Sequence, residues 1–433
     1  MNYQEALDFI HGTYKFGAKL GLENIKYLLK LLGNPHENIN IIHIAGTNGK
    51  GSTSSMTHSI LKAAGYKVGL YTSPYLETFT ERIQINGENI PEERLAEITS
   101  LVKEKIQQMV EEGRNHPTEF EVVTAIGFYY FAQEEVDFLV LEVGLGGRLD
   151  ATNVVENPLV SVITPVGYDH MQFLGDTLEK IAAEKGGIIK ENSHVIVYPQ
   201  ADEATQVLKD ICHEKNSEML MVDFNKLEIH SSTIEEQTYT VDIFGKTYNH
   251  LEIHMAGIHQ IYNSTSALAV VETLKHEYNV EISDEAVFKG LKEARWPGRL
   301  EIIKRDPLTI IDGAHNIHGA EALKKSIQSL LQDYSITLVI GMLADKDVEG
   351  YLDLIIPHVH RVVITEPDNP RAMEAEVLAE KLKKYNKALY IGKTIPEATK
   401  IALEITDQQE AILCAGSLYM IGEARKYVRQ LNK

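Results

Sequence analysis

Lys50 is flanked by glycines and followed by two hydroxyl residues, in the run Gly46-Thr47-Asn48-Gly49-Lys50-Gly51-Ser52-Thr53. Glycines let backbone N–H groups close on phosphate oxygens, a lysine neutralises phosphate charge, and a hydroxyl can reach a divalent cation. Ile41 to Ile44 reads as the buried strand that leads into this turn. A helical pattern with Met56, Ile60 and Leu61 follows, so the turn opens at a helix N-terminus, where anions are favoured. The spacing departs from the common form of such loops. Only two residues separate Gly46 from Gly49, where four are usual.

Three further groups stand at the ends of predicted strands. Asp137 to Val143 is a buried strand carrying Glu142, a carboxylate placed to address a nucleotide's Mg²⁺. Ser73 follows the strand Tyr66 to Tyr71, and His170 follows the strand Leu159 to Thr164. The C-terminal edge of an open α/β sheet is where ligands sit, so His170 reads equally as a structural residue and as a metal ligand. Lys185 falls on the apolar face of the predicted helix Leu178 to Lys185, with Leu178, Ile181 and Ala182. A buried ammonium is costly unless it pairs, snorkels or changes chemistry, and from pattern alone capping with snorkelling at the helix end before Gly186-Gly187 is the leading reading.

The elements that must hold these groups alternate strand and helix. Residues 1–40 read as helices, with an amphipathic face from Leu20 to Leu32 stopped at Gly33. A helix from Pro91 to about Glu112 precedes a second one, capped by Thr118-Glu119-Phe120-Glu121, whose aromatics Phe128 to Phe131 read as core. Period-two alternation over residues 223–255 reads as hairpins flanking the first domain. Helices then cover Gly257 to Leu274 and residues 283–294. Pro297-Gly298 breaks the pattern, and the predicted domains are residues 1–296 and 297–433. The second repeats strand and helix, with strands at Leu308–Ile311, Ile336–Ile340, Arg361–Thr365, Ala388–Ile391 and Ala411–Cys414. Polar loops Asp312 to Asn316, Asp345 to Asp347 and Gly416 to Tyr419 follow three of them.

Composition sets outer bounds. A chain of 433 residues with 44% hydrophobic and 24% charged residues is a globular protein of two or three domains. A net charge of -20 argues against general nucleic-acid binding and requires a locally positive pocket for any anionic substrate. Cys212 and Cys414 form no framework. Without a leader-like start or an apolar run long enough to span a bilayer, a cytosolic protein with no membrane partner is expected.

Together these segments resemble the folylpolyglutamate synthase family of the Mur ligase superfamily, including its bifunctional dihydrofolate synthase form. The matching pieces are Gly17-x-x-x-Gly21-Leu22, GTNGKGS(T), TSP-x-L, ERI-x-ING, TEFE, EVGLGGRLDATN, Asp169-His170 with Leu174-Gly175, Glu184-Lys185, PGR, DGAHN, ADKD and Gly416-Ser417-Leu418-Tyr419, spread over essentially the whole chain. The resemblance implies an α/β protein: an N-terminal P-loop ATPase domain, mostly parallel with a small β flank, plus a C-terminal Rossmann-like domain, with the site between them. It implies that Asn48, Gly49, Lys50, Gly51, Ser52 and Thr53 hold ATP, joined by Asn263, Arg299 and Asp312. Ser73, Glu142 and His170 would serve Mg²⁺, and His315 would lie close to the phosphates. Lys50, His170, Lys185 and His315 would be the catalytic set, with Lys185 carbamylated to N6-carboxylysine. Thr118, Glu119, Phe120, Glu121, Leu149, Asp150 and Ala151 would approach the pterin.

The implied activity is ATP-dependent addition of L-glutamate to the γ-carboxyl of a reduced folate through an acyl phosphate, by a monomer. A bifunctional enzyme that also accepts dihydropteroate, and a nucleotide-dependent switch protein, are the alternatives. A cell-wall Mur ligase would carry a further domain before the cradle, where this sequence has 45 residues. Departures from the family pattern are Tyr75 where His is common, Ile317-His318 in place of Asn-Pro, and Gly186 in place of Ala.

Overall fold

The computed structural model describes residues 1–13 and 21–431. Gly17 and Leu20, part of the first matching motif and of the predicted N-terminal helical face, lie outside the described residues. The chain divides into two compact units. The first comprises residues 1–227, 240–251 and 262–294, and the second residues 228–239, 252–261 and 295–433.

The first unit is built on an eight-stranded sheet. Its strands are β1 (Ile41–Ala45), β2 (Val68–Tyr71), β3 (Ile83–Ile85), β4 (Glu88–Asn89), β5 (Phe138–Glu142), β6 (Val160–Ile163), β7 (His194–Val197) and β8 (Glu218–Met221). They lie in the order β4-β3-β2-β5-β1-β6-β7-β8. All neighbours are parallel except at the β2–β3 and β3–β4 steps. β1 is central and wholly buried, which explains its continuous β-branched run rather than an alternating one. The register sets Ile44 of β1 opposite Glu142 of β5 and Val162 of β6. The glycine turn, Glu142 and the residues after β2 and β6 therefore emerge from one sheet edge.

Helix Lys50–Ala63 leaves that edge, entered through Gly49 at φ 84°. A side chain on Gly46 is excluded, because its Cβ would lie 1.8 Å from the Thr164 hydroxyl. Helix Asp284–Glu293 packs closely on helix Lys50–Ala63 at Gly290, whose added Cβ would stand 2.4 Å from Ile60 Cα. The Ser59 hydroxyl donates to the Gly290 carbonyl at 2.7 Å. Phe128, Tyr130 and Phe131 of helix Glu119–Gln133 pack in the core, as their spacing predicts.

Strands β9 (Leu227–Ser232), β10 (Gln237–Ile243) and β11 (Lys246–Ile253) form a separate three-stranded sheet. The second unit contains a six-stranded sheet of β12 (Glu301–Lys304), β13 (Leu308–Asp312), β14 (Ile336–Ile340), β15 (Arg361–Ile364), β16 (Ala388–Ile391) and β17 (Ala411–Ala415). Its order is β12-β13-β17-β14-β15-β16, parallel except for β12. The protein is thus a mixed α/β fold with two sheets of mostly parallel strands. The five parallel strands fall where the sequence predicts. The edge strands β8 and β12 were not foreseen, because neither carries a long apolar run.

Replacing Gly290 with Ala forces backbone apart rather than a flexible side chain. Gly290→Ala is expected to lower stability by about 1–3 kcal/mol, read as a reduced thermal midpoint. An unchanged midpoint would contradict the close helix contact.

Candidate active site

The glycine turn gathers positive charge. Lys50, the first residue of its helix, sends Nζ to the carbonyls of Gly46 and Thr47, both at 3.2 Å, and stands 3.9 Å from Glu142 Oε1. Lys185 reaches the same place from helix Leu178–Gly186, with Nζ 2.8 Å from the Gly46 carbonyl. Its residue is 3% exposed. Burial, helped by the Lys50 charge, lowers the Lys185 pKa to about 7. The amine therefore becomes increasingly neutral as pH rises above about 7. Lys185 is buried rather than snorkelling to solvent, and the Gly46 carbonyl accepts from its side chain.

Glycine packing holds helix Leu178–Gly186 against the segment after β5. A Cβ on Gly147 would meet the carbonyl oxygens of Glu184 and Lys185 at 2.6 and 2.8 Å. Arg148 N–H donates to the Glu184 carbonyl at 2.7 Å, and its guanidinium grips the Glu184 carboxylate.

The other sequence-predicted residues of this unit distribute as follows. The Ser73 N–H approaches Glu142 Oε2 at 3.4 Å, so these two stand together. His170 is paired with its neighbour Asp169 and sits in the left-handed region at φ 50°. Asn48 accepts from the Thr164 hydroxyl at 2.8 Å, and Asn263 flanks Gly49, where an added Cβ would lie 2.6 Å from Asn263 Oδ1. Gly51 is the second residue of the helix, and Ser52 and Thr53 are buried within its first turn.

Thr118 and Glu121 form a reciprocal capping box: Glu121 Oε2 accepts from the Thr118 N–H at 2.7 Å and from its hydroxyl at 2.9 Å. Glu119 instead pairs with His11 at 3.3 Å, and the Phe120 ring faces Gly144 and Tyr71. Leu149 precedes Asp150, the N-cap of the short turn Ala151–Val154. Asp150 accepts from Leu145 N–H at 2.9 Å and Thr152 N–H at 3.0 Å, while burial raises its carboxyl pKa.

Two supporting residues were missed in the sequence. Buried His43 in β1 meets Thr152 Oγ1 at 2.9 Å, and that hydroxyl donates to Asp150 Oδ1 at 2.5 Å. The imidazole therefore carries its proton on Nε2, and burial lowers its pKa to about 3. This relay couples the central strand to the loop after β5. It spans over a hundred positions of sequence, so no local pattern could have signalled it.

In the second unit, Asp312 ends β13 and accepts from Leu300 N–H at 3.0 Å and Ala314 N–H at 2.9 Å. Burial raises its pKa, and the Arg299 guanidinium opposes that rise. A Cβ on Gly313 would strike Arg299 Nη1 at 2.1 Å, so glycine makes room for that side chain. His315 Nδ1–H donates to the Gly313 carbonyl at 2.8 Å. Because β17 lies between β13 and β14, the three polar loops predicted at strand ends are neighbours. Among the described residues, the buried hydroxyls of Tyr351, Thr365 and Ser417, in the helix after β14 and at the ends of β15 and β17, have no hydrogen-bond partner.

These features define a chain with a cationic, glycine-built anion cradle on a parallel sheet edge. A Mur ligase middle-domain family model matches residues 44–271, and a Mur ligase glutamate ligase domain model matches residues 298–418. A Bacillus subtilis protein named dihydrofolate synthase/folylpolyglutamate synthase is 38% identical, over 99% of each chain. The fold matches a folylpolyglutamate synthase from Thermotoga maritima at TM-score 0.87 and 38% identity, covering 99% of this chain and 96% of that one. It also matches the Mycobacterium tuberculosis folylpolyglutamate synthase solved with ADP, at TM-score 0.90 and 30% identity over 99% of each chain. The chain belongs to the folylpolyglutamate synthase/dihydrofolate synthase family of Mur ligases. Among the described residues, no helix is long and apolar enough to cross a membrane.

Thr152→Val would strip two buried polar groups, His43 and Asp150, of a shared partner. It is expected to cost about 1–3 kcal/mol, measured by urea denaturation. A variant as stable as the parent would show the relay to be idle.

Proposed function

We propose that this chain is an ATP-dependent ligase that joins L-glutamate to the γ-carboxylate of a reduced folate, releasing ADP and phosphate. The observation that carries the reading is the convergence of Lys50 and Lys185 on one glycine carbonyl beside Glu142, in a chain matched end to end by folate ligases. In this reading residues 1–296 form the P-loop ATPase domain and residues 297–433 a Rossmann-like ligase domain. A cytosolic monomer is the accompanying expectation.

A carboxylate is a poor electrophile. Its oxygen attacks the γ-phosphorus of ATP, the bond to ADP breaks, and an acyl phosphate forms. The amine of glutamate then adds to the acyl carbon, loses a proton, and the tetrahedral adduct expels phosphate as the amide forms. Several anionic groups must meet, so charge neutralisation dominates the barrier. Gly49, Gly51 and the helix start present N–H groups to the phosphates, and Asn48, Ser52 and Thr53 line the same turn. Lys50 sits on the phosphate chain, and Asn263 borders the nucleotide beside Gly49. Arg299, Asp312 and His315 are proposed as further nucleotide contacts. Thr118 to Glu121 and Leu149 to Ala151 are proposed to border the pterin, with the Thr118–Glu121 cap fixing Phe120. Unpaired Ser417 offers a polar contact for the incoming amino acid.

The buried Glu142 carboxylate, whose Oε2 accepts from the Ser73 N–H, is a hard-oxygen donor suited to Mg²⁺, and the Ser73 hydroxyl and His170 are proposed as further donors. Bound there, Mg²⁺ would neutralise phosphate charge. Lys185, neutral above pH 7, is suited to carbamylation. Its amine forms an N–C bond with CO₂ and releases a proton, which converts a buried base into an anionic oxygen group facing Lys50.

The joint name of the Bacillus relative favours a second activity on dihydropteroate. A panel of dihydropteroate and tetrahydrofolate, each with ATP and glutamate, decides between one activity and two. Three outcomes follow for variants. Lys50→Ala should lose on the order of 10²-fold or more in kcat, followed by ADP release with product analysis, and wild-type turnover would refute the cradle's role. Lys185→Ala should lose activity and regain part of it with a short-chain carboxylic acid. In ¹³C-bicarbonate, a carbamate NMR signal should grow as pH rises through about 7 and be absent from Lys185→Ala. A fully active Lys185→Ala would remove the carbamate.

A further inference from the structure

The ERI-x-ING motif has no role in the scheme above, yet its arginine is out of place for a structural residue. Arg82 is 8% exposed, at the junction of the turn Phe79–Arg82 and β3. A buried guanidinium is ordinarily paired with a carboxylate. Among the described residues Arg82 makes no ion pair, and its buried Nε has no hydrogen-bond partner. What surrounds it is aromatic. The guanidinium carbon lies 5.5 Å from the centre of the Phe79 ring and 5.8 Å from that of Phe120. The Tyr71 phenol feels its charge and accepts a hydrogen bond from its side chain.

The carboxylates nearby are engaged elsewhere. Glu119 pairs with His11, whose ring packs edge-on against Phe79. Asp150 is held by Thr152 and Leu145. Glu81, the preceding residue, accepts from the N–H groups of Leu76, Glu77 and Thr78. Cation–π contact and a hydrogen bond to the Tyr71 phenol recover part of the cost of burying Arg82, but neither supplies a counter-charge. The residue is also well placed. Its carbonyl accepts from Thr72 N–H at 3.0 Å, so Arg82 adjoins the residue before Ser73.

We propose that Arg82 is a substrate-binding residue that takes the α-carboxylate of the folate's terminal glutamate, with Phe79 flanking the adjoining aryl group. This rests on the folate-ligase reading. The α-carboxylate is preferred to the reacting one for a chemical reason. A guanidinium fork occupies both oxygens of a carboxylate, which would leave none to attack phosphorus. Held by its spare carboxylate, the terminal glutamate presents the γ-carboxylate toward the Ser73–Glu142 edge.

The test compares wild type, Arg82→Gln and Arg82→Lys. Dissociation constants are measured by titration for tetrahydrofolate, for dihydropteroate, which lacks a spare carboxylate, and for ADP. Arg82→Gln should weaken tetrahydrofolate on the order of 10- to 100-fold, raising its KM alike. ADP and dihydropteroate should change by less than about 2-fold, the scale of a lost surface contact rather than a charged one. Arg82→Lys, which keeps the charge without the fork, should fall between the two and serves if Arg82→Gln does not fold. Unchanged tetrahydrofolate binding in both variants overturns the proposal. Equal weakening of tetrahydrofolate and dihydropteroate also overturns it, because the arginine would then only support the aromatic wall. A wild type that binds tetrahydrofolate but forms no glutamate adduct would defeat the ligase reading and leave the binding comparison standing.

Discussion

Two lysine side chains converge on a single acceptor, the carbonyl oxygen of Gly46. The fold around them brings two lysines to one point from separate helices. Lys50 comes from the first turn of one helix and Lys185 from the last turn of another, and the strand carrying Glu142 runs between the strands that lead to the glycine turn and to Ser73. The arrangement is tolerable because burial discharges Lys185, while Glu142 offsets Lys50. It also answers the problem posed by a body of net charge -20. A small, rigid positive site within an acidic protein is where the proposed phosphate contacts would be favoured.

Rigidity is bought with glycine and close backbone contact. Gly46 against Thr164, Gly49 against Asn263 and Gly147 against helix Leu178–Gly186 leave no room for a single Cβ. Each places a reactive group by excluding alternatives. The same logic holds in the second unit, where Gly313 clears space for Arg299 beside Asp312. Binding energy in such a site need not be spent on rearranging the protein at the moment charge develops.

Much of this was legible in the sequence where the signal was local. The strand–turn–helix around Lys50, the strand ending in Glu142 and the cap at Thr118 each declare themselves within about a dozen residues. The meaning of Lys185 did not, because burial depends on packing that a helical pattern only hints at. The His43–Thr152–Asp150 relay joins residues far apart in the chain, and that Arg82 makes no ion pair among the described residues shows only in three dimensions. The edge strands β8 and β12 were missed because half-exposed short strands resemble loops.

The central claim is that the folate carboxylate passes through an anhydride with phosphate. Tetrahydrofolate labelled with ¹⁸O in its γ-carboxyl group tests this most directly, with the released inorganic phosphate analysed by mass spectrometry. One labelled oxygen transferred to phosphate in each turnover is the predicted result. Amide product formed with unlabelled phosphate would contradict the account.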